Sequence, residues 1–151
     1  MNTLTRFFAS LVESGVASIL PQSTLQEMDR RLHEFPWMGN HIAWHKIEYM
    51  DCFEWGARSD EDAEAFLRSL TIGRFTQIAA FYGCRHPALL FQRDWLFRNI
   101  DVAAANSQQY FLFGIRNLQI ELGTFAELET GCTIWGWKCQ ESRANNGGAP
   151  K

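Results

Sequence analysis

The sequence lacks the short motifs that would assign it a chemistry. Its four cysteines form no Cys-x-x-Cys pair, and it contains neither a nucleophile elbow nor a glycine-rich phosphate loop. Fourteen basic and seventeen acidic residues give a formal charge of −3, without the Lys/Arg cluster that follows a phosphate backbone. These absences argue against an enzyme, against a cofactor and against nucleic-acid binding.

Signals of export and membrane insertion are also missing. The N-terminus does not have the charged, apolar and small-residue layout of a signal peptide. Every apolar stretch is interrupted within a few residues by a charged or amide side chain, whereas a membrane span needs about 20 apolar residues. We therefore expect a cytoplasmic protein with free thiols and no transmembrane segment.

What the sequence does contain is a heavy aromatic load, with 12 Phe and 6 Trp among 151 residues. Rings in such number must enter a core, a ligand groove or an association surface. The length suits one domain. We expect a single helical domain over residues 1–139, followed by a polar, glycine-rich and flexible tail over residues 140–151.

Outside residues 37–57, three helices are predicted in the first 82 residues of the chain. The first ends at Pro21, and the second begins at Thr24, because Glu27 lies three residues later and completes a capping box. The third follows Ser59, whose hydroxyl caps the helix while the next three carboxylates complement its dipole. This third helix is predicted to continue to residue 82.

Residues 37–57 are rich in tryptophan and histidine and fit either a helix or a strand with a one-residue slip, with helix favoured. In a helix, His41, His45 and Glu48 share one face and can offer two imidazoles and a carboxylate to a divalent metal. The other interpretation is two surface histidines beside Trp44. Both interpretations remain open at this point.

Residues 87–128 carry the main fold prediction. Pro87 suits the first turn of a helix, and an apolar stripe spaced by four and three residues continues from Leu89 to Phe125. Such a helix would be roughly 60 Å long at 1.5 Å per residue, longer than one small core. The predicted fold is therefore an all-α helical bundle with one long C-terminal amphipathic helix.

A competing interpretation concerns residues 110–137. It places strands of an antiparallel sheet at residues 110–115, 117–122 and 133–137, which would make the fold α+β. β-branched residues are scarce in the first two of these segments, and this scarcity disfavours strands.

The start of the long stretch resembles a known family. Cys84-Arg85, Pro87, Gln92, Trp95-Leu96 and the run Asn-Ile-Asp-Val-Ala-Ala-Ala-Asn-Ser-Gln at residues 99–108 are similar to a segment of phasins. These small bacterial proteins coat polyhydroxyalkanoate storage granules. The resemblance covers roughly residues 70–112, within a phasin-like helical segment at residues 59–129, and it includes no catalytic residue.

This resemblance implies a non-enzymatic protein that self-associates and binds the granule surface, or a partner, through an amphipathic helix. The residues expected at that interface are Phe91, Trp95, Leu96 and Phe111. An alternative of a different class is a small acidic cytoplasmic immunity or inhibitor protein, which neutralises a toxin or an enzyme by binding. Its size, its acidity and the absence of a catalytic set agree with that alternative.

Overall fold

The chain folds around a seven-stranded antiparallel sheet, in a computed structural model that describes residues 3–39, 41–104, 109–129 and 133–138. The strands are β1 (Ala17–Ile19), β2 (Trp37–Met38), β3 (His41–Ile42), β4 (Met50–Glu54), β5 (Gln77–Phe81), β6 (Leu89–Gln92), β7 (Gln109–Arg116), β8 (Gln119–Glu129) and β9 (Thr133–Trp137). The order across the large sheet is β1-β6-β5-β7-β8-β9-β4, and β2 pairs with β3 in a separate hairpin.

Helices cover both faces of this sheet. They are α1 (Thr3–Glu13), α2 (Gln22–Leu32), α3 (Asp60–Ser69), α4 (Arg93–Arg98) and α5 (Ile100–Ala104). Apolar side chains of α1, α3, α4 and α5 join the core on the first face. Side chains of α2 and of β3, together with Trp44, join the core on the second face. Within the described residues, no helix is long and apolar enough to cross a membrane.

The predicted long C-terminal helix does not exist. Strand β6, the short helices α4 and α5, and the hairpin of β7 and β8 occupy its place. The prediction of an all-α helical bundle with a long amphipathic helix is therefore wrong. The α+β alternative is correct, including its strand over residues 133–137.

Burial on both faces explains why the pattern resembled a helix. In β5, the four consecutive residues from Ile78 to Phe81 are all buried, because helices or loops cover the sheet on both sides. Such strands show no alternation of apolar and polar residues, and a short apolar run fits helical spacing equally well. Leucine, phenylalanine and alanine fill these strands in place of the β-branched residues that signal a sheet.

A tight turn joins β7 to β8. Asn117 and Leu118 both have positive φ, at 54° and 61°, as a two-residue hairpin turn of the primed type requires. Gly114 lies next to a register shift in β7. A Cβ at this glycine would meet the ring of Phe75 at 2.6 Å. The aromatic ring therefore occupies the space that a side chain would need.

The N-terminal half agrees with prediction in part. Helix α1 ends at Glu13 rather than at Pro21, and β1 follows it. Helix α2 exists, but its N-cap is Pro21, with no capping bond from a side chain, so the predicted Thr24 cap is wrong. The Ser59 cap of α3 is confirmed, since its hydroxyl accepts from the Asp62 N–H at 3.1 Å.

Three further predictions concern the segment 37–57, the end of the third helix and the tail. Residues 37–57 form the β2–β3 hairpin, two 3₁₀ turns (Trp44–Lys46 and Trp55–Ala57) and β4, so the favoured helix there is wrong. Helix α3 ends at Ser69 and not at residue 82. The predicted flexible tail, residues 140–151, lies outside the described residues.

Candidate functional site: an acidic sheet edge

Strand β4 forms one edge of the sheet. On its inner side it pairs with β9, and the Lys138 N–H donates to the Tyr49 carbonyl at the end of this ladder. Because bonded pairs alternate along antiparallel strands, residues 51 and 53 also bond toward β9. The backbone groups of Met50, Cys52 and Glu54 therefore point away from the sheet, where no strand of the described chain covers them.

One of these outward groups is satisfied by a neighbouring side chain. The Cys52 N–H donates to the Asp51 carboxylate at 2.8 Å. This bond agrees with the alternation, because a side chain can reach only an N–H that the sheet leaves free. Charged side chains at an exposed edge also disfavour nonspecific pairing with strands of other proteins. The edge of β4 is therefore exposed but protected against aggregation.

Carboxylates surround this edge, and we call them the acidic edge. Its members are Glu48, Asp51, Glu54, Asp60, Glu61 and Asp62. Together with Glu64 they account for seven of the seventeen acidic residues of the chain, within a stretch of residues 48–64 whose only basic residue is Arg58. The charge of the chain is therefore strongly concentrated here, although its net charge is small.

Two members of the acidic edge have basic partners. Asp51 lies 3.9 Å from the Lys138 ammonium group, and Asp62 lies 3.4 Å from the Arg58 guanidinium group. Both pairs are exposed, so each contributes little to stability. The pKa of the Asp62 carboxyl is held below its usual range, first by the Ser59 hydroxyl that it contacts and also by Arg58.

Three other members have no such partner. Glu48, Glu54 and Glu61 are exposed and make no ion pair or side-chain hydrogen bond with any described residue. Of these three, Glu54 acts on the strand itself: burial raises the pKa of the Cys52 thiol, and the charges of Glu54 and Asp51 raise it further. Within the described part of the chain, these three carboxylates thus carry negative charge that no ion pair compensates.

Aromatic contacts fix the base of this region. The ring of Phe53 in β4 stacks on Phe66 of α3, with ring centroids 5.2 Å apart. The indole N–H of Trp55 donates to the Asp60 carboxylate at 3.1 Å. These two contacts attach α3 to β4 and to the 3₁₀ turn that follows β4, so they hold the acidic side chains of α3 and β4 close to one another.

A separate carboxyl group, Glu127, is buried in the core of the second face. It is 1% exposed, and its Oε1 accepts from the Trp44 indole N–H at 2.6 Å. The Trp44 ring stacks on Phe125 and on Trp135, at centroid distances of 5.0 and 6.1 Å. Nothing in the sequence indicates that Glu127 is buried, because an acid within a strand ordinarily indicates an exposed position. We assign it a structural role in holding Trp44.

The four predicted interface residues do not lie on one flank. Phe91 and Leu96 are buried in the core of the first face, and Phe111 is buried in the core of the second. Trp95 is partly exposed and stacks on Phe91, with centroids 5.7 Å apart. A role for these residues at an interface stays a prediction.

The three residues considered as metal ligands, His41, His45 and Glu48, are not on a common helix. His41 is in β3, His45 is in a 3₁₀ turn, and Glu48 follows that turn. His45 and Glu48 are exposed, whereas the His41 side chain lies outside the described part. Among the residues that are described, no group of three His, Cys, Asp or Glu side chains comes together to hold a metal.

Comparisons with known proteins do not assign a family. No family model matches the chain, and no curated protein matches it. The resemblance to phasins therefore stays a prediction, and function must be argued from the geometry of the chain itself.

Proposed function

We propose that the chain is a non-enzymatic binding protein of the inhibitor or immunity class, which neutralises a basic protein by contact with its acidic edge. One observation carries this proposal. Glu48, Glu54 and Glu61 are exposed carboxylates without partners in the described chain, and they flank a strand whose outward backbone groups no described strand pairs.

This arrangement favours binding because a basic partner can approach these carboxylates without breaking an ion pair within the described chain. Concentrated charge of one sign also steers a partner of opposite charge and raises the association rate. The open strand offers backbone hydrogen bonds to an extended segment of that partner.

The geometry gives less support to a granule-coating protein. The helix that would have adsorbed to the polymer is replaced by strands and two short helices. Among the side chains that the structure describes, the large apolar ones that remain exposed lie on four separate segments, at Ile19, Trp37, Met38, Val102 and Leu118. Granule binding stays a prediction and is one outcome of the experiment below.

A capture experiment with two matched variants tests the proposal. The edge variant carries Glu48→Gln, Glu54→Gln and Glu61→Gln. The helix control carries Glu27→Gln, Asp29→Asn and Glu34→Gln on and just after α2, which packs against β8, two strands away from β4. Both variants remove three negative charges, so a difference between them does not come from net charge. Glu27 and Glu34 are ion-paired with Arg30 and Arg31, so the comparison separates the edge carboxylates from ion-paired carboxylates elsewhere.

The proposal predicts that the wild-type chain and the helix control recover the same basic protein from a host lysate. Added salt should release this protein, and the edge variant should not retain it. Equal recovery by the edge variant would contradict the proposal. Recovery of a polymer granule fraction instead of a basic protein would support the granule hypothesis and contradict ours.

A further inference from the structure

The opposite edge of the sheet, formed by β1, is also open. The Leu20 N–H donates to the Ala88 carbonyl at 2.9 Å, so the alternation of bonded pairs turns Ser18 and Leu20 toward β6. The backbone groups of Ala17 and Ile19 consequently point outward. Among the described residues, no strand pairs with them.

A groove runs along this edge on the first face. It has a volume of about 520 Å³ and lies between α1 and residues 85–87. Its lining includes Phe8, Val12, Ile19 and Pro87, with Glu13 and Arg85 as its charged members. Ile19 is 61% exposed, an unusual position for a large aliphatic side chain beside other apolar groups.

The two charges of the groove have opposite signs, and neither has a partner within the described chain. Glu13 and Arg85 are both exposed and make no ion pair with any described residue. A surface that carries one free acid and one free base beside an apolar groove is complementary to a surface with the same features. A second copy of the chain has that surface.

The backbone of β1 is also complementary to itself. If two copies align antiparallel about a two-fold axis at Ser18, Ala17 of each lies opposite Ile19 of the other. These are the residues whose N–H and C=O groups point outward, so four backbone hydrogen bonds form, two on each side of the axis. A two-fold axis makes each contact occur twice.

The same register also brings residues at the groove of one copy close to the other copy. It places Ala17 of one copy beside Ile19 of the other on the first face, because both side chains lie on that face. It also brings the end of α1 in one copy, with Glu13, toward the end of β1 in the other, which Arg85 flanks. We propose that β1 is the contact between two copies of this chain, which pair antiparallel about Ser18 and join Glu13 to Arg85 across the dimer.

The ends of β1 limit this pairing to one partner strand of three residues. Gly15 has a φ of +84° and turns the chain out of α1, and Pro21 has no N–H to donate beyond Leu20. The two sheets would form one continuous sheet with the acidic edge at each outer end. The dimer contact and the proposed partner surface are therefore separate and can be tested separately.

A charge-exchange experiment tests the dimer most sharply. The wild-type mass is 17.4 kDa, so light scattering after size exclusion should give twice that mass. Glu13→Arg alone and Arg85→Glu alone should each be monomeric, because each places like charges across the contact. An equal mixture of the two variants should recover a dimer, since positions 13 and 85 then carry opposite charges at both contacts. Mixing cannot repair a defect within one chain, so recovery identifies a contact between copies.

Two further variants locate the contact. Ile19→Pro removes an outward N–H without touching the bonds to β6, and it should raise the dissociation constant of the dimer at least about tenfold. Ser18→Cys should form a disulfide across the axis on mild oxidation, because directly opposed residues of a non-bonded pair lie about 4.5 Å apart between Cα atoms. Ser23→Cys, on the exposed start of α2, is the matched control and should not crosslink.

A monomeric wild-type chain at high protein concentration would overturn the proposal. So would a dimer that survives Ile19→Pro and fails to crosslink through Ser18→Cys, because that dimer would use another surface. Failure of the mixed charge variants to recover a dimer would contradict the Glu13 to Arg85 contact and, with it, the register that predicts this contact.

Discussion

The buried bond between Trp44 and Glu127 allows the most quantitative prediction. Trp44→Phe keeps an aromatic ring in the core but removes the N–H that donates at 2.6 Å to a carboxyl group only 1% exposed. Loss of a donor to a buried acceptor costs about 1–3 kcal/mol. The smaller ring also gives up part of its stacking with Phe125 and Trp135, worth about 0.5–1.5 kcal/mol.

We therefore expect Trp44→Phe to lower the free energy of unfolding by about 2–4 kcal/mol. Urea titration followed by far-ultraviolet circular dichroism measures this value, since fluorescence would change with the substitution itself. Trp135→Phe is the matched control, because the same atoms are removed from a partly exposed ring whose N–H makes no hydrogen bond with a described residue. A control as costly as Trp44→Phe, or a change below about 0.5 kcal/mol at Trp44, would show that the buried bond does not stabilise the core.

Three other substitutions test separate parts of the fold. Gly114→Ala places a Cβ against the Phe75 ring and should cost about 1–3 kcal/mol of unfolding free energy, measured by urea titration; a neutral result would contradict the close contact. Leu118→Gly should raise that free energy by about 0.5–1 kcal/mol, because the exposed leucine has a φ of 61°, and a lower melting temperature would count against this turn. Arg68, and then Arg93, hold the pKa of Asp94 below its usual range, so its stabilising contribution is complete above about pH 4 and is lost as pH falls. Asp94→Asn should therefore flatten the acid side of a stability profile, and an unchanged profile would exclude that contribution.

Features that depend only on neighbouring residues, such as a helix cap, could be predicted from the sequence. Ser59 followed by three acidic residues correctly predicted the start of α3, because a cap and a helix dipole depend only on adjacent residues. The strands at residues 110–137 were identified only as an alternative. Their identity depends on pairing with distant segments, and leucine and phenylalanine in strands buried on both faces do not reveal it.

The candidate site depended even more on distant contacts. The acidic residues after Ser59 are evident in the sequence, where capping alone explains them. A binding role for them is inferred from their position beside β4. That β4 is an edge strand with outward backbone groups follows only from its pairing with β9, about eighty residues later in the sequence. Similarly, the alternation that turns Ala17 and Ile19 outward is visible only once β1 is paired with β6.

Binding at the acidic edge is measured most sharply by the affinity of the captured basic partner for the three chains, by isothermal titration at low and at high salt. We predict that the wild-type chain and the helix control bind equally and weaken together as salt rises. The edge variant should bind at least about tenfold more weakly at low salt, with a flatter salt dependence. Equal affinity of all three chains at low salt would show that the acidic edge does not hold the partner.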